Sequence, residues 1–321
     1  MSLLFSLGFI LLAGLSFVPN LPWKHWIARG PDFFRMPILA VQSLVWVAAV
    51  VLFFSQKLPP TYWEVAGWIA LLIGMIFQMR RIYPYTPFCP KETTSAKAGP
   101  TISVLIANVW QHNQQFQPFL DLVRQHKPDL FLTMESDENW QHHLNQLETH
   151  YSHSVKVPLD NLYGMHMYSR LPIRQAKVQY LVESDVPSIR AEIMMDDEHT
   201  IVFYGVHPAP PSPTENVSSK ERDAELMLIG ISVREESLPT LVCGDLNDVA
   251  WSQTTRLFRK LSGLLDPRIG RGLYPTFHAR YPLIRFPMDH LFHSPGFRLI
   301  RMLRLPAFGS DHFGMYYELT Y

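Results

Sequence analysis

Thr240-Leu241-Val242-Cys243-Gly244-Asp245-Leu246-Asn247-Asp248 is the stretch on which the fold turns. Thr240–Cys243 is a short apolar run of the kind that forms a buried strand, and Gly244 ends it in a turn. Two carboxyls and an amide follow at once. The same arrangement, an apolar run and then a polar group, recurs along the chain. Asn108 follows Ile102–Ala107, Glu135 follows Leu130–Met134, and His207 follows Ile201–Val206. Asp289 and His290 stand in Met288-Asp289-His290-Leu291-Phe292, and Ser310-Asp311-His312 precede the closing run Met315–Leu319. In layered α/β folds the carboxyl ends of strands converge on one edge, so these groups are expected to share a cleft.

Helical stretches lie between these runs. Phe116–His126 carries Phe116, Phe119, Leu120 and Val123 at helical spacing and is stopped by Lys127-Pro128-Asp129. Asp137–His150 reads as a polar helix with Leu144 and Leu147 on one face, and Asn216–Ile231 as a charged amphipathic one. Further strand-like runs lie near Gly164–Ser169, Ile189–Met195 and Pro287–Phe292. The alternation over residues 101–321 predicts an α/β or α+β sandwich around one core.

Residues 1–82 have a different texture. Ser2–Val18 and Met36–Ser55 carry no charge, and Tyr62–Met79 carries only Glu64, near its start. Each approaches the roughly 20 residues that cross a bilayer as a helix. Trp23, Trp26, Tyr62, Trp63, Tyr83 and Tyr85 flank them where interfacial aromatic residues are expected. Three transmembrane helices are therefore predicted, at about 2–18, 36–55 and 62–79, with the lipid bilayer as partner. A signal peptide is the rival reading of the first stretch, but no basic residue precedes it; buried core helices are the rival for all three. The first loop and the stretch after the third span hold Lys24, Arg29, Arg35, Arg80, Arg81, Lys91 and Lys97, against Lys57 alone in the other loop. This bias puts the large C-terminal part on the cytoplasmic side. Residues 83–100, with four prolines in Pro84–Pro100 and no apolar period, read as a linker to a catalytic domain at 101–321.

The whole-chain averages hide this division: 321 residues, 47% hydrophobic, formal net charge zero. Residues 1–99 hold three acidic against eight basic residues, which leaves 25 acidic and 20 basic in the remainder. A net charge of −5 on that remainder repels a long polyphosphate backbone, which weighs against a non-specific duplex binder. The two cysteines, Cys89 and Cys243, cannot build a disulfide framework.

Hydrolysis of a phosphate ester needs a hard cation against the phosphate charge, an activated water, and donors on the oxygens that gain charge. Carboxylate and amide oxygens suit Mg²⁺ or Mn²⁺, and there is no Cys or paired-His pattern for zinc. Glu135 and Asn108 can supply oxygen ligands, and His207, Asn247 and His312 can supply donors. Asp245 can accept the proton of water. Each residue alone has a plainer reading: Glu135 as a solvated strand end, His207 as a structural histidine, Gly244–Asn247 as an Asx turn, Ser310–His312 as a cap or loop. Their order and their shared position after apolar runs favour the chemical one.

Seven segments carry a more specific signal: Val104–Asn108, Leu132–Glu135, Gly164–Ile173, Gly205–Pro208, Val242–Asp248, Met288–His290 and Gly309–His312. In this order they resemble the endonuclease/exonuclease/phosphatase superfamily, which includes deoxyribonuclease-I-like enzymes, apurinic-site endonucleases, inositol-polyphosphate phosphatases and sphingomyelinases. The resemblance runs from Ser103 onward. It implies a four-layer α/β (α+β) sandwich with two central mixed β-sheets, here preceded by an all-α membrane region, and use of Mg²⁺ or Mn²⁺. It also implies roles. Glu135 is the principal metal ligand, with Asn108 and Asp311 close to the metal. His207 donates to a phosphate oxygen, Asp245 orients or deprotonates water, and Asn247 stabilises the pentacoordinate phosphorus. Asp289 orients His312, which contacts the phosphate. Arg190 falls in a strand where the family commonly carries an arginine and is a substrate-binding candidate. Trp110 stands where apurinic-site enzymes carry an acidic residue, which argues against abasic-site specificity. The N-terminal spans resemble those of a bacterial subgroup tethered to the inner membrane.

The leading expectation is a membrane-anchored, metal-dependent phosphoesterase acting by in-line water attack. Its substrate is a lipid headgroup, a small phosphoester or a nucleic acid, and no protein partner is implied. A nuclease is the alternative within the fold; a catalytically silent binding module is the alternative outside the enzymes. The segment from Arg256 to Arg304 has ten Lys and Arg against Asp266 and Asp289. It is either a basic rim for an anionic substrate or membrane, or a set of arginines scattered over a solvated face.

Overall fold

In the first strand, β1 (Thr101–Asn108), alternate side chains enter different cores. Val104 and Ile106 join Ile189, Phe203, Leu241 and Cys243, whereas Leu105 and Ala107 join Phe119, Phe131 and Trp140. A period of two with both faces apolar is what a strand covered on both sides requires. The computed structural model describes residues 2–55 and 59–321, and it places β1 near the middle of a six-stranded sheet. The order there is β10 (Arg298–Arg304), β11 (Met315–Thr320), β1, β2 (Leu130–Met134), β4 (Met165–Ser169) and β3 (His153–Val157). A second sheet runs β5 (Ile173–Gln179), β6 (Ser188–Met194), β7 (Thr200–Val206), β8 (Thr240–Asp245) and β9 (Asp289–His293).

Only β1 with β2 and β7 with β8 pair in parallel; the other pairings among the described strands are antiparallel. Each parallel pair is joined by a crossover helix, α5 (Phe116–His126) in the first sheet and α7 (Lys220–Glu235) in the second. Together with α6 (Glu138–Leu144), α5 covers the outer face of the first sheet, while α7 and α8 (Gln253–Ser262) cover the second. The inner faces close on one another, which makes the predicted four-layer sandwich with two mixed sheets.

β5 and β10 are edge strands: β5 is mostly exposed and polar, and β10 sets exposed arginines between its apolar residues, so neither shows the unbroken apolar run that marks a buried strand. The expected helix at 137–150 breaks after Leu144 into a 3₁₀ turn, Asn145–Leu147, and the helix expected at 216–231 begins only at Lys220.

At the N-terminus lie α1 (Ser2–Gly14), α2 (Trp26–Phe33), α3 (Arg35–Ser55) and α4 (Tyr62–Ile82). Among the described residues two helices are long and apolar enough to cross a membrane, α3 and the Tyr62–Tyr85 segment that contains α4. The run expected to span at 2–18 is helical only to Gly14 before turning through the 3₁₀ segment Val18–Asn20. At 1.5 Å per residue α1 is about 20 Å long, short of a hydrocarbon core of about 30 Å. It lies along α4, with Ser6 and Phe9 against Gly67, and Ala13 and Ser16 against Gly74. Lys57, used in the charge comparison, lies outside the described residues.

Residues 83–100, expected as a linker, are held against the domain. The Tyr85 hydroxyl donates to the Ala250 carbonyl (2.7 Å), Gly270 N–H to Pro84 (2.8 Å), and Leu299 N–H to Thr94 (2.9 Å). The α1–α3 connection docks too: Trp26 N–H donates to Val217 (3.0 Å), Lys24 pairs with Asp223 (2.8 Å), and Trp251 Nε1–H donates to the Asp32 carbonyl (2.8 Å).

Gly244 fixes how β8 delivers Asp245. Its φ is +147°, and a Cβ there would lie 1.9 Å from the Val206 carbonyl oxygen on β7. Gly244→Ala should therefore destabilise the protein by about 3 kcal/mol or more, through a forbidden backbone conformation and a steric clash. A thermal melt of the full chain in detergent checks this, with Gly263→Ala, where nothing lies within 4 Å of the added Cβ, as the milder comparison.

Candidate active site

The two parallel pairs point the same way, and their carboxyl ends meet at one edge of the sandwich. Asn108 ends β1 and Asp245 ends β8; Glu135 follows β2 and His207 follows β7. Asp289 opens β9 opposite Asp245, and His312 lies just before β11. The Asn108 Nδ2 amide donates to Glu135 Oε1 (2.7 Å) and to Asp245 Oδ2 (3.3 Å), so one side chain holds a carboxylate from each sheet. Its oxygen accepts from Trp110 N–H (3.0 Å). Asn108 thus turns nitrogen, not the expected oxygen ligand, toward the cluster, and acts as a clamp.

His312 Nδ1 lies 2.8 Å from Asp289 Oδ2 and its Nε2 lies 3.5 Å from Asp245 Oδ2. Asp289 is steadied by Thr276, whose Oγ1 accepts from the Asp289 N–H (3.1 Å). The Ser310 hydroxyl donates to the Asn108 carbonyl (2.8 Å) and accepts from His312 N–H (3.0 Å), which ties the His312 loop to β1. Asn247 N–H donates to Asp245 Oδ1 (2.8 Å), and its side-chain amide donates to the Pro208 carbonyl (3.0 Å), beside His207. Trp110, Glu135 and Asn247 have φ of 57°, 56° and 49°. Non-glycine residues in this region carry strain that the surrounding structure must hold, a pattern common at functional sites.

Burial pushes the Glu135 carboxyl up to about 7, and burial likewise raises Asp245. Burial works against the His312 charge, but Asp289 and Asp245 outweigh it and hold the imidazolium up to about 10. Burial lowers His207 to about 3, so it is neutral, and its Nδ1 has no hydrogen-bond partner among the described residues. Three carboxylates around one imidazolium leave excess negative charge in a buried place, which is the electrostatic character of a cation site. Asp245, Asp289 and His312 bring one donor atom each within 4.8 Å of one another. Within that trio the pairing uses Asp245 Oδ2 and Asp289 Oδ2; further oxygens come from Glu135 and the half-buried Asp311, which lies near enough to raise Glu135 further. An oxygen-rich set fits a hard cation such as Mg²⁺ or Mn²⁺. Cys243 is in the core between the sheets and offers nothing to it.

The structure thus brings together Asn108, Glu135, His207, Asp245, Asn247, Asp289, Asp311 and His312. It does not bring Arg190. In β6, Ile189 and Ala191 face the inner core, so Arg190 points outward, where it binds both oxygens of Glu236 (2.7 and 3.0 Å) and Glu192 (3.1 Å). It is a structural cation of the outer face, not a substrate contact. Three residues of the site had no assigned part in the sequence reading: Ser310; Thr276; and Tyr163, whose ring centroid is 5.5 Å from that of His207. Thr276 and Tyr163 lie outside the regular elements, where no periodicity marks them.

Asp289 is the largest of the influences that raise His312. Asp289→Asn should return the His312 pKa from about 10 toward or below its ordinary 6.5, leaving neutral imidazole at pH 8. Histidine-ring NMR of the labelled full chain measures this directly; an unmoved resonance at pH 8 would contradict the pairing.

No curated protein matches the sequence. Among solved structures, TDP2 of D. rerio with a single-strand DNA product superposes with a TM-score of 0.57 at 14% identity, over 69% of this chain and 99% of that one. The human Nocturnin catalytic domain gives 0.54 at 14% identity, over 70% and 96%. A mannosyl-6-phosphatase of Bacteroides thetaiotaomicron gives 0.54 at 21% identity, over 68% and 100%. These likenesses share the fold. The family model described as Endonuclease/Exonuclease/phosphatase matches residues 105–312, from the middle of β1 to the last histidine of the cluster, and the chain belongs to that family.

Proposed function

We propose that the chain is a membrane-anchored, divalent-metal-dependent phosphoesterase. The observation that carries this reading is the Asn108 amide shared by Glu135 and Asp245, beside an imidazolium held by Asp289. The Asp245 carboxylate, raised by burial, is suited to take the proton of an attacking water. His312, charged through the neutral range, offers Nε2–H to a phosphate oxygen; His207 and the free N–H of Asn247 offer uncharged donors. Glu135 with Asp311 would hold a cation such as Mg²⁺ or Mn²⁺, which when bound neutralises phosphate charge.

Anchoring is supported by α3 and α4 and by their bare apolar faces: Leu44 is 71% and Phe54 80% exposed. A bilayer covers such surface, and the basic loops favour a cytoplasmic catalytic domain. The substrate classes follow two of the structural neighbours, one named for a phosphorylated sugar and one bound to single-stranded DNA. A nuclease is favoured by one feature, the Arg280 guanidinium stacked 4.5 Å over the Trp110 ring just beyond Asn108, since such surfaces accept bases. A silent binding module is disfavoured by the completeness of the cluster.

The full chain in detergent should hydrolyse bis(p-nitrophenyl) phosphate with Mg²⁺ or Mn²⁺ and lose that activity in EDTA. Glu135→Gln and Asp245→Asn should each lower kcat by about 10²–10⁴-fold. Hydrolysis that survives both substitutions and chelation would defeat the proposal. The rate should also fall as acidification protonates Asp245, at a pH above the ordinary carboxyl value of 3.8, and fall again as His312 loses its proton near pH 10. A flat profile between pH 4 and 10 would remove these two groups from the reaction.

A further inference from the structure

A second polar cavity lies away from the catalytic cluster, between the end of α4 and the start of the catalytic domain's α8. Its volume is about 350 Å³, and its lining includes Phe77, Arg80, Arg81, Tyr85, Arg256 and Arg259. Four arginines therefore line one small space. Arg259 is neutralised by both oxygens of Glu92 (2.6 Å each). Arg81 donates to Asn20 Oδ1 (2.9 Å) and rests 5.0 Å from the Phe77 ring centroid. Arg80 and Arg256 form no side-chain hydrogen bond or ion pair among the described residues. Arg256 is exposed at the rim, and the charges of Arg35, Arg259 and Arg80 press on it, opposed by Asp32, which is itself paired with Arg35. Positive charge is gathered here beyond what Glu92 and Asp32 offset, which favours an anion at the cavity.

Position identifies the kind of anion. The Arg80-Arg81 pair forms the basic last turn of α4, directly after its apolar stretch, and Ile76 (53%) and Met79 (54%) are bare one turn earlier. With α4 spanning a bilayer, the cavity lies at headgroup depth, with Phe77 and Ile269 as apolar walls. Basic pockets at the cytoplasmic ends of spanning helices are suited to acidic headgroups. We propose that this cavity is a binding site for the phosphate headgroup of an acidic phospholipid, which bridges α4 and α8. The site rests on the spanning reading of α4 and shares no residue with the catalytic cluster.

Native mass spectrometry of the full chain in detergent, titrated with phosphatidylglycerol, phosphatidylcholine or inorganic phosphate, tests this without any turnover. Phosphatidylglycerol should bind more tightly than the other two. Arg80→Gln and Arg256→Gln should each weaken it about fivefold, the equivalent of about 1 kcal/mol per basic residue at a membrane surface. Neither arginine has a protein partner to lose, so both variants should fold, and an unchanged melting temperature without lipid confirms it. Arg298→Gln, an exposed arginine on β10, should leave lipid affinity unchanged. Equal binding of phosphatidylcholine, equal binding of inorganic phosphate, or full phosphatidylglycerol affinity in both variants would each overturn the proposal. Hydrolytic activity lost or retained has no bearing on this result, so the two claims fail separately.

Discussion

Carboxylates repel one another, and the whole catalytic edge is arranged around keeping Glu135 and Asp245 together despite that. One comes from each sheet, and each reaches the other only through the Asn108 amide and the shared cleft. Burial makes their charge costly, and the paired Asp289 and His312 supply the one compensating cation that the cluster itself contains. The two sheets must therefore meet in a fixed register. The inner core, with Ile106, Met134 and Met165 from one sheet and Ile189, Phe203 and Leu241 from the other, provides it. Asp245 N–H even rests on the Met134 sulfur at 3.0 Å, so packing and chemistry touch at the base of the site.

Supporting contacts extend this constraint outward. Arg222 on α7 donates to the Asn247 carbonyl (2.8 Å) and pairs with Asp248 (3.0 Å), which fixes the turn after β8. His290, next to Asp289, turns away and binds the Asp248 carbonyl (2.9 Å) and Arg268 (2.6 Å). Arg268 in turn is paired with the buried Asp266 (2.8 Å). The turn after β8 and the start of β9 are thus locked together behind the reacting groups. Breaking a buried pair of this kind is costly because it strands the surviving charge.

Much of this was legible in the chain because the informative residues sit at the ends of apolar runs. Strands buried on both faces, such as β1, β2, β7 and β8, announce themselves through composition, and the polar residue that follows each is placed by topology. Where that logic weakens, so did the reading. Arg190 lies in a strand at the right level but on the wrong face, and alternation with Ile189 and Ala191 was the signal that could have shown it. β10 and β5 are edge strands in which arginine, lysine and glutamine interrupt the apolar residues. Asn108 lies at the end of its apolar run, but which end of its amide faces the carboxylates depends on Trp110 N–H, a backbone contact that no sequence pattern encodes.

The segment at 83–100 resembles a tether in composition, yet it lies clasped to the domain by Tyr85, Thr94 and the Pro84 carbonyl, while Trp26 and Asp32 add two further clasps. An enzyme on a slack leash samples a hemisphere of solvent; this one has no slack. On the proposed reading that α3 and α4 lie in a bilayer, the edge that carries the polar cluster would keep a constant height and tilt above the lipid surface, and the search for substrate would become two-dimensional. Molecules that travel in or along that plane meet the site in one repeated orientation, and those arriving from the bulk must come to it.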